Sequence, residues 1–346
     1  MSINRQVVDP SQYKAYETLL GKAVHATIFH TTSWAATLIS SYNYKPCYFI
    51  LLENKTVVCI VAIMEINSWL TGCRGVALPF SDNAGPILLE IINRDIVLNH
   101  IIDFGKERGW RSIEFRGWEE FLYDKPCSDF FYHHMLPLSG DINFLYSQLH
   151  KTAKRKIKRA AKSGIKIKID YSLTALKAYY DLHCMTRKRQ GVPPQPFSFF
   201  QNVYHHIISK DKGAIILASL DNAYIAGSIY FHFKKKAYYK YGAFDTKYDY
   251  LSPSYFVMWE AIKIYAQNGY ESLCFGRTEP ENKGLLQYKA SWGCSSKIIK
   301  YYKYNINMKI FIDKKNRSKY NYKGFFTILP SFVLRILGSV LYKHIG

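Results

Sequence analysis

Acidic residues are scarce in this chain of 346: 26 Asp and Glu stand against 47 Lys and Arg, leaving a net charge of +21. The seven cysteines are odd in number and hold no C-x-x-C pair. That argues against a disulfide framework and a structural zinc, and it makes the thiols small core hydrophobes. Motifs for covalent or metal-assisted hydrolysis and for nucleotide cleavage are missing too: there is no G-x-S-x-G, H-E-x-x-H, Walker loop or Cys-His motif. His133-His134 and His205-His206 are adjacent pairs, and sequence neighbours point apart on a strand or helix, so no metal is expected there. The first residues, "MSINRQVVDPSQYKAYETLL", lack a charged-then-apolar leader, and a cytoplasmic protein is the expectation.

What is present is clustered charge. Lys151 to Lys168, "KTAKRKIKRAAKSGIKIK", holds nine basic residues and no acid, and from Lys297 onward eleven face Asp313 alone. The first run predicts a helix with Ala153, Ile157, Ala160 and Ala161 on one face and Gly164 as its stop. Its basic faces are either plain solvated surface or, since like charges so dense repel one another, a platform for anions with Lys154, Arg155, Lys158 and Arg159 at its centre. The second run leads into "FFTILPSFVLRILGSVLYKHIG". There Pro330 starts a helix with apolar Phe332, Val333, Ile336, Leu337, Val340 and Leu341 and a polar stripe of Ser331, Arg335, Ser339 and Lys343. It is too short and too interrupted to span a bilayer, so it either lies in a membrane interface or docks on the protein as a last core helix.

The chain also repeats itself. "GWRSIEFRG" (109–117) returns as "GYESLCFGR" (269–277), each behind a helical pattern, so both read helix, glycine stop, strand. Further upstream, 47–64 and 214–233 both read as strand, acid-plus-Asn turn, strand, with Glu53-Asn54 matching Asp221-Asn222. Two ordered matches at nearly one offset predict an internal duplication: an α+β fold of two similar domains, with mixed, largely antiparallel sheets and packed helices. The expected division is 1–145, 146–305, and a tail of 306–346 holding the basic segment and the amphipathic helix.

Three stretches occur only in the second half: "LHCMTRKRQGVPPQPFSFF", "YYKYGAFDTKYDYLSPSYFVMWEAI" and "TEPENKGLLQYKASWGC". With "LHKTAKRKIKRAAKSGIKI" and, earlier, "LPFSDNAGP", they resemble the FemAB family of the GNAT acetyltransferase superfamily, particularly members encoded beside exopolysaccharide and exosortase genes. The resemblance runs over roughly 25–305. It implies two tandem GNAT-like domains, the first degenerate and the second bearing the site, and transfer of an acyl group to an amine. The best-known members of the family extend the peptide of a cell-wall precursor from aminoacyl-tRNA. Such a reaction needs positioning, a proton acceptor and oxyanion stabilisation rather than an enzyme nucleophile.

Carried over residue by residue, Lys289 matches the lysine of the family's G-L-x-x-(F/Y)-K motif, and Arg189 and Tyr241 match positions that resemble precursor-binding ones. Local chemistry adds Arg187 and Arg277 as phosphate or carboxylate forks and Glu279 as a base. The bland alternative for all six is a surface ion or a sheet aromatic. The (Q/R)-x-x-G-x-(G/A) acetyl-CoA signature is missing from both halves and so is a coiled-coil arm, which leaves aminoacyl-tRNA and acyl-CoA both open as co-substrate, with no bound cofactor expected. The expected partners are a cell-envelope precursor or polysaccharide amine, tRNA and an anionic membrane surface on the cytoplasmic side, acting on a monomer. A non-catalytic module of an exopolysaccharide assembly complex and an RNA-binding protein are the readings from other classes.

Overall fold

The structure is a computed structural model that describes residues 3–314 and 323–346. Part of the basic run before the last helix, residues 315–322, lies outside the described residues. The chain divides into two compact units: 1–131 with 298–319 and 340–346, and 132–297 with 320–339.

The first unit carries β1 (Ile3–Val8), α1 (Tyr16–Lys22), α2 (Thr32–Tyr42), β2 (Lys45–Glu53), β3 (Thr56–Ser68), β4 (Gly72–Ala77), β5 (Ile87–Leu88), α3 (Arg94–Glu107) and β6 (Ser112–Arg116). β1, β2, β3 and β4 pair antiparallel in that order, and β5 adds to β3. β4 then runs parallel to β6 for only three pairs, Arg74 with Ser112, Gly75 with Ile113 and Val76 with Glu114. Gly75 has no room for a side chain, because a Cβ there would fall 2.2 Å from the ring of Trp110. Trp110, Phe115 and Trp118 are buried under the sheet, each contributing on the order of 2–3 kcal/mol by leaving water.

The second unit draws on β7 (Asp129–Pro137), α4 (Ile142–Gln148), α5 (Lys151–Ala161), β8 (Lys166–Asp170), α6 (Leu173–Arg189), α7 (Phe197–His206), β9 (Gly213–Leu220), β10 (Ala223–Phe233), β11 (Lys236–Phe244), α8 (Pro253–Gln267), β12 (Ser272–Thr278) and α9 (Lys283–Ala290). β8, β9, β10 and β11 pair antiparallel, and β11 runs parallel to β12 for three pairs ending at Tyr238 with Cys274. β12 is completed by antiparallel β7, a strand that precedes the unit's own first strand in the chain. The first unit is completed in the same manner: β13 (Ser295–Asn305), with β14 (Ile310–Phe311) beside it, supplies Tyr301–Asn305 as antiparallel partner to β6. The strands of each unit thus share one pattern of pairing, which is what the repeated phrase encodes.

The hairpins agree in detail. Asn54 and Lys55 (φ 48° and 67°) match Asp221 and Asn222 (φ 48° and 66°), the pair of left-handed residues that a two-residue hairpin turn requires. The turn residues therefore align one position away from the Glu53–Asp221 match read from side-chain type, because backbone handedness fixes the turn.

α5 forms as its pattern predicts, with Ala153, Ile157 and Ala160 buried, but Ala161 faces solvent. The last segment breaks at Pro330 into α10 (Lys323–Ile328) and α11 (Ser331–Ile345). In the second unit Leu334 is buried, Arg335 reaches Asp181 at 3.1 Å, and Gly338 approaches so closely that a Cβ would lie 1.9 Å from the Pro194 carbonyl oxygen. In the first unit the end of α11 is gripped by buried groups. Arg74 donates to the carbonyls of His344 (2.9 Å) and Ile345 (2.6 Å), and Arg116 donates to that of Gly346 (2.9 Å). The docked face is that of Leu334, Gly338, Tyr342 and His344, whereas Ile328, Phe332, Ile336 and Val340 stand exposed at a spacing of four. Among the described residues no helix is long and apolar enough to cross a membrane.

Three buried imidazoles make folding sensitive to acid. Burial holds His30 down to about 4 against the Gly85 carbonyl, and burial together with Arg187 holds His183 down to about 3. Burial, then the Lys289 charge, holds His134 down to about 4. Each stays neutral when folded and takes a proton when unfolded below about pH 6.5, so its contribution is complete above that pH and is lost as pH falls toward the folded value. Urea unfolding at pH 7 and pH 5 should show a loss of about 1–2 kcal/mol per histidine, in a window above that in which carboxylates titrate. Equal stability at the two pH values would refute the buried neutral state.

Candidate active site

β11 and β12 part company after Tyr238 and Cys274. Past that point each strand exposes main chain and side chains to the opening between them, and the singled-out residues fall on its two sides.

On the β12 side the organising feature is Gly276. Its φ of +69° lies in the left-handed region, and the register against β7 shifts between Cys274 and Gly276, so a bulge sits here. The bulge turns two successive carbonyls, those of Gly276 and Arg277, toward Nζ of Lys289, which donates to both at 3.0 Å. Lys289 comes from α9, whose first turn is capped by the Asn282 side chain accepting from the Leu285 amide. Its side chain is 2 % exposed, so the ammonium is a fixed, buried cation. Arg277 is half-buried, and Glu279 stands exposed, its carbonyl accepting from the Asn282 amide as the turn into α9 begins.

β7 adds groups that sequence reasoning set aside. His133 Nε2 lies 3.1 Å from Cys274 Sγ on one face of the strand pair. His134 points to the other face and is opposed by Gly276 across the ladder. The sequence did place the two histidines on opposite faces, but it held no sign that β7 would be laid beside β12.

On the β11 side, Tyr241 packs its ring against Phe200 (5.3 Å between centroids), with His183 and Phe199 just beyond. His183 bonds Gln195 at 2.9 Å, which ties the Pro-rich loop after α6 to this cluster. Arg187, one turn on from His183, is close enough to hold its imidazole down and bonds Gln190 at 3.2 Å. Arg189 is exposed and lies over the Phe244 ring at 4.3 Å. Arg187 and Tyr241 therefore share one aromatic-lined cluster, Lys289 and Arg277 share the bulge, and Arg189 and Glu279 sit toward solvent. On α5, Lys154 donates to the Ser147 carbonyl (2.8 Å) and Arg159 to that of Tyr250 (3.0 Å), while Arg155 and Lys158 are exposed.

An antiparallel sheet with one diverging parallel pair and a helix on each side of it is the GNAT fold, and comparison with known proteins agrees. The acetyltransferase (GNAT) domain family matches residues 147–290. Among solved structures, FemX is similar at 13 % identity over 87 % of this chain and 97 % of that one, with a TM-score of 0.66. A tandem GNAT protein from the clavulanic acid biosynthesis pathway is similar at 7 % identity over 88 % and 99 %, with a TM-score of 0.58. L-PGS from Bacillus licheniformis is similar at 12 % identity over 94 % and 97 %, with a TM-score of 0.55. No curated protein matches the chain. The second unit thus carries an acetyltransferase (GNAT) domain, and that domain makes the protein an acyltransferase. The likeness to FemX and to a tandem GNAT protein is one of fold, two units of like strand pairing on one chain.

Gly276→Ala should cost about 1 kcal/mol in urea unfolding, since alanine must enter the left-handed region to keep the two carbonyls on Lys289. A neutral effect would mean the bulge is not held by that geometry.

Proposed function

We propose that the protein transfers an acyl or aminoacyl group to an amine of a cell-envelope or exopolysaccharide precursor, working at the inner face of the cytoplasmic membrane. The observation that carries the reading is the buried ammonium of Lys289, fixed by two main-chain carbonyls at the mouth of the diverging strands inside the acetyltransferase domain. A cation held there pays no reorganisation cost when negative charge develops on the acyl oxygen during attack by the amine. Arg187, Arg189, Arg277 and Tyr241 supply forks and an aromatic wall for a phosphate-bearing substrate. The candidate donors, charged tRNA and acyl-CoA, are both phosphate-bearing carriers, and the basic face of α5, with Lys154, Arg155, Lys158 and Arg159, suits either.

The experiment is a donor screen with labelled aminoacyl-tRNA, acetyl-CoA and longer acyl-CoAs, following label onto amines. Transfer from charged tRNA or from acyl-CoA identifies the donor, and transfer from neither sinks the reading in favour of a non-catalytic module. Lys289→Met should lower the rate at least about 100-fold while shifting stability by no more than about 2 kcal/mol, since the two carbonyls lose a donor but a buried charge goes too. A fully active Lys289→Met protein would refute the electrostatic role.

Membrane association is assigned to the exposed stripe Ile328, Phe332, Ile336 and Val340, flanked by Arg335 and Lys343. Point changes test this better than deletion, because removing the segment would strip Arg74 and Arg116 of their carbonyl partners. Phe332→Asp with Ile336→Asp should weaken sedimentation with phosphatidylglycerol vesicles at least about 10-fold and leave it unchanged if the stripe does not touch lipid.

A further inference from the structure

Among the buried polar atoms of the second unit that lack a hydrogen-bond partner among the described residues are Nε2 of His134 and Oγ1 of Thr278. The residues are 4 % and 2 % exposed. Groups so buried are satisfied in nearly every folded protein, and leaving one unmade is costly, so a pair on one site calls for an explanation. The register puts them together. His134 is opposed by Gly276 and Thr278 by Tyr132, so both side chains leave the β7–β12 ladder on the same face, two residues apart along the strands. That face also carries Leu136 and Leu273 of the core, so water has little access. The residue opposite His134 is the one whose carbonyl receives Lys289, and the Lys289 charge is felt at the imidazole. The sequence marks His134 only as half of an adjacent pair unsuited to a metal and does not mark Thr278, and the six candidate site residues leave both unexplained.

We propose that His134 Nε2 and Thr278 Oγ1 form the subsite for the reacting amine, with His134 taking the proton that the amine must lose. The proposal rests on the acyl-transfer reading above and names the acceptor side of that reaction. In the tautomer protonated on Nδ1, His134 offers a lone pair to an N–H of the amine, and the Thr278 hydroxyl holds a second polar atom of the same ligand. The amine nitrogen forms its bond to the acyl carbon, and the bond from that carbon to the ribose oxygen of tRNA or the sulfur of CoA breaks. The proton leaves the nitrogen for Nε2 and passes on to the departing oxygen or sulfur, so charge and atoms balance with no other reactant. An imidazole that burial and Lys289 keep neutral does not retain the proton, which suits a relay. The ligand class is a primary amine on a polar, hydroxyl-bearing carrier.

The test pairs function with stability. His134→Leu replaces an unsatisfied imidazole by an apolar side chain of similar bulk, so thermal unfolding should be unchanged or a few degrees higher. Label transfer from aminoacyl-tRNA and acetyl-CoA to glucosamine, lysine and alanine should meanwhile fall about 100-fold. Thr278→Val should raise KM for the amine several-fold with a smaller change in kcat. If His134→Leu does not fold, His134→Asn is read in its place. Wild-type transfer by the folded His134 variant, or an unchanged KM for the amine in Thr278→Val, would each overturn the proposal. An inactive wild-type protein with every donor and amine would instead sink the acyl-transfer reading, and this assignment with it.

Discussion

Everything proposed for this protein hangs on one short bond pattern: the ammonium of Lys289 held by the carbonyls of Gly276 and Arg277. A buried cation is tolerable only when its donors are met, and two main-chain carbonyls can converge on one point only where the strand bulges. The positive φ of Gly276 makes the bulge, which shifts the register against β7 while the ladder runs on to Thr278 with Tyr132. The same few residues therefore fix both the shift of register in β12 and the seat of the cation.

The divergence itself comes from the parallel pairing. β4 and β6, like β11 and β12, share three pairs and no more, and both sheets close with an antiparallel strand drawn from elsewhere in the chain. What differs is the occupancy of the opening. In the first unit buried Arg74 and Arg116 grip the main chain at the end of α11. In the second, the groups at the opening are Lys289, Tyr241 and Arg187.

Much of the fold was legible in sequence. The helix, glycine, strand phrase marks α3 to β6 and α8 to β12 because a helix ends at a residue free to take positive φ, and Gly109 and Gly269 both do so. The buried face of α5 followed from spacing, apart from Ala161, which sits just past the docked stripe as the helix ends. The candidate site was legible only in part. The motif around Lys289 singled the residue out as a candidate, with a charge-stabilising role expected from family likeness, but its carbonyl partners depend on a bulge that no residue pattern announces. α11 was harder still: the face that docks, Leu334, Gly338, Tyr342 and His344, mixes apolar and polar residues, so hydrophobicity alone pointed to the exposed stripe.

By itself the sequence determined the duplication, the α+β class, the clustered positive charge and the family to which the second half is similar, because periodicity, turn chemistry and motif spacing are local properties of a chain. Tertiary structure decided which strands close each sheet and so which side chains meet. His134 lies 155 residues from Lys289 in sequence, and only the pairing of β7 with β12 brings its imidazole opposite Gly276. Strand pairing is set by the packing of whole faces against helices and not by any residue's own preference, which is why the residues proposed to meet the amine come together only in the folded protein.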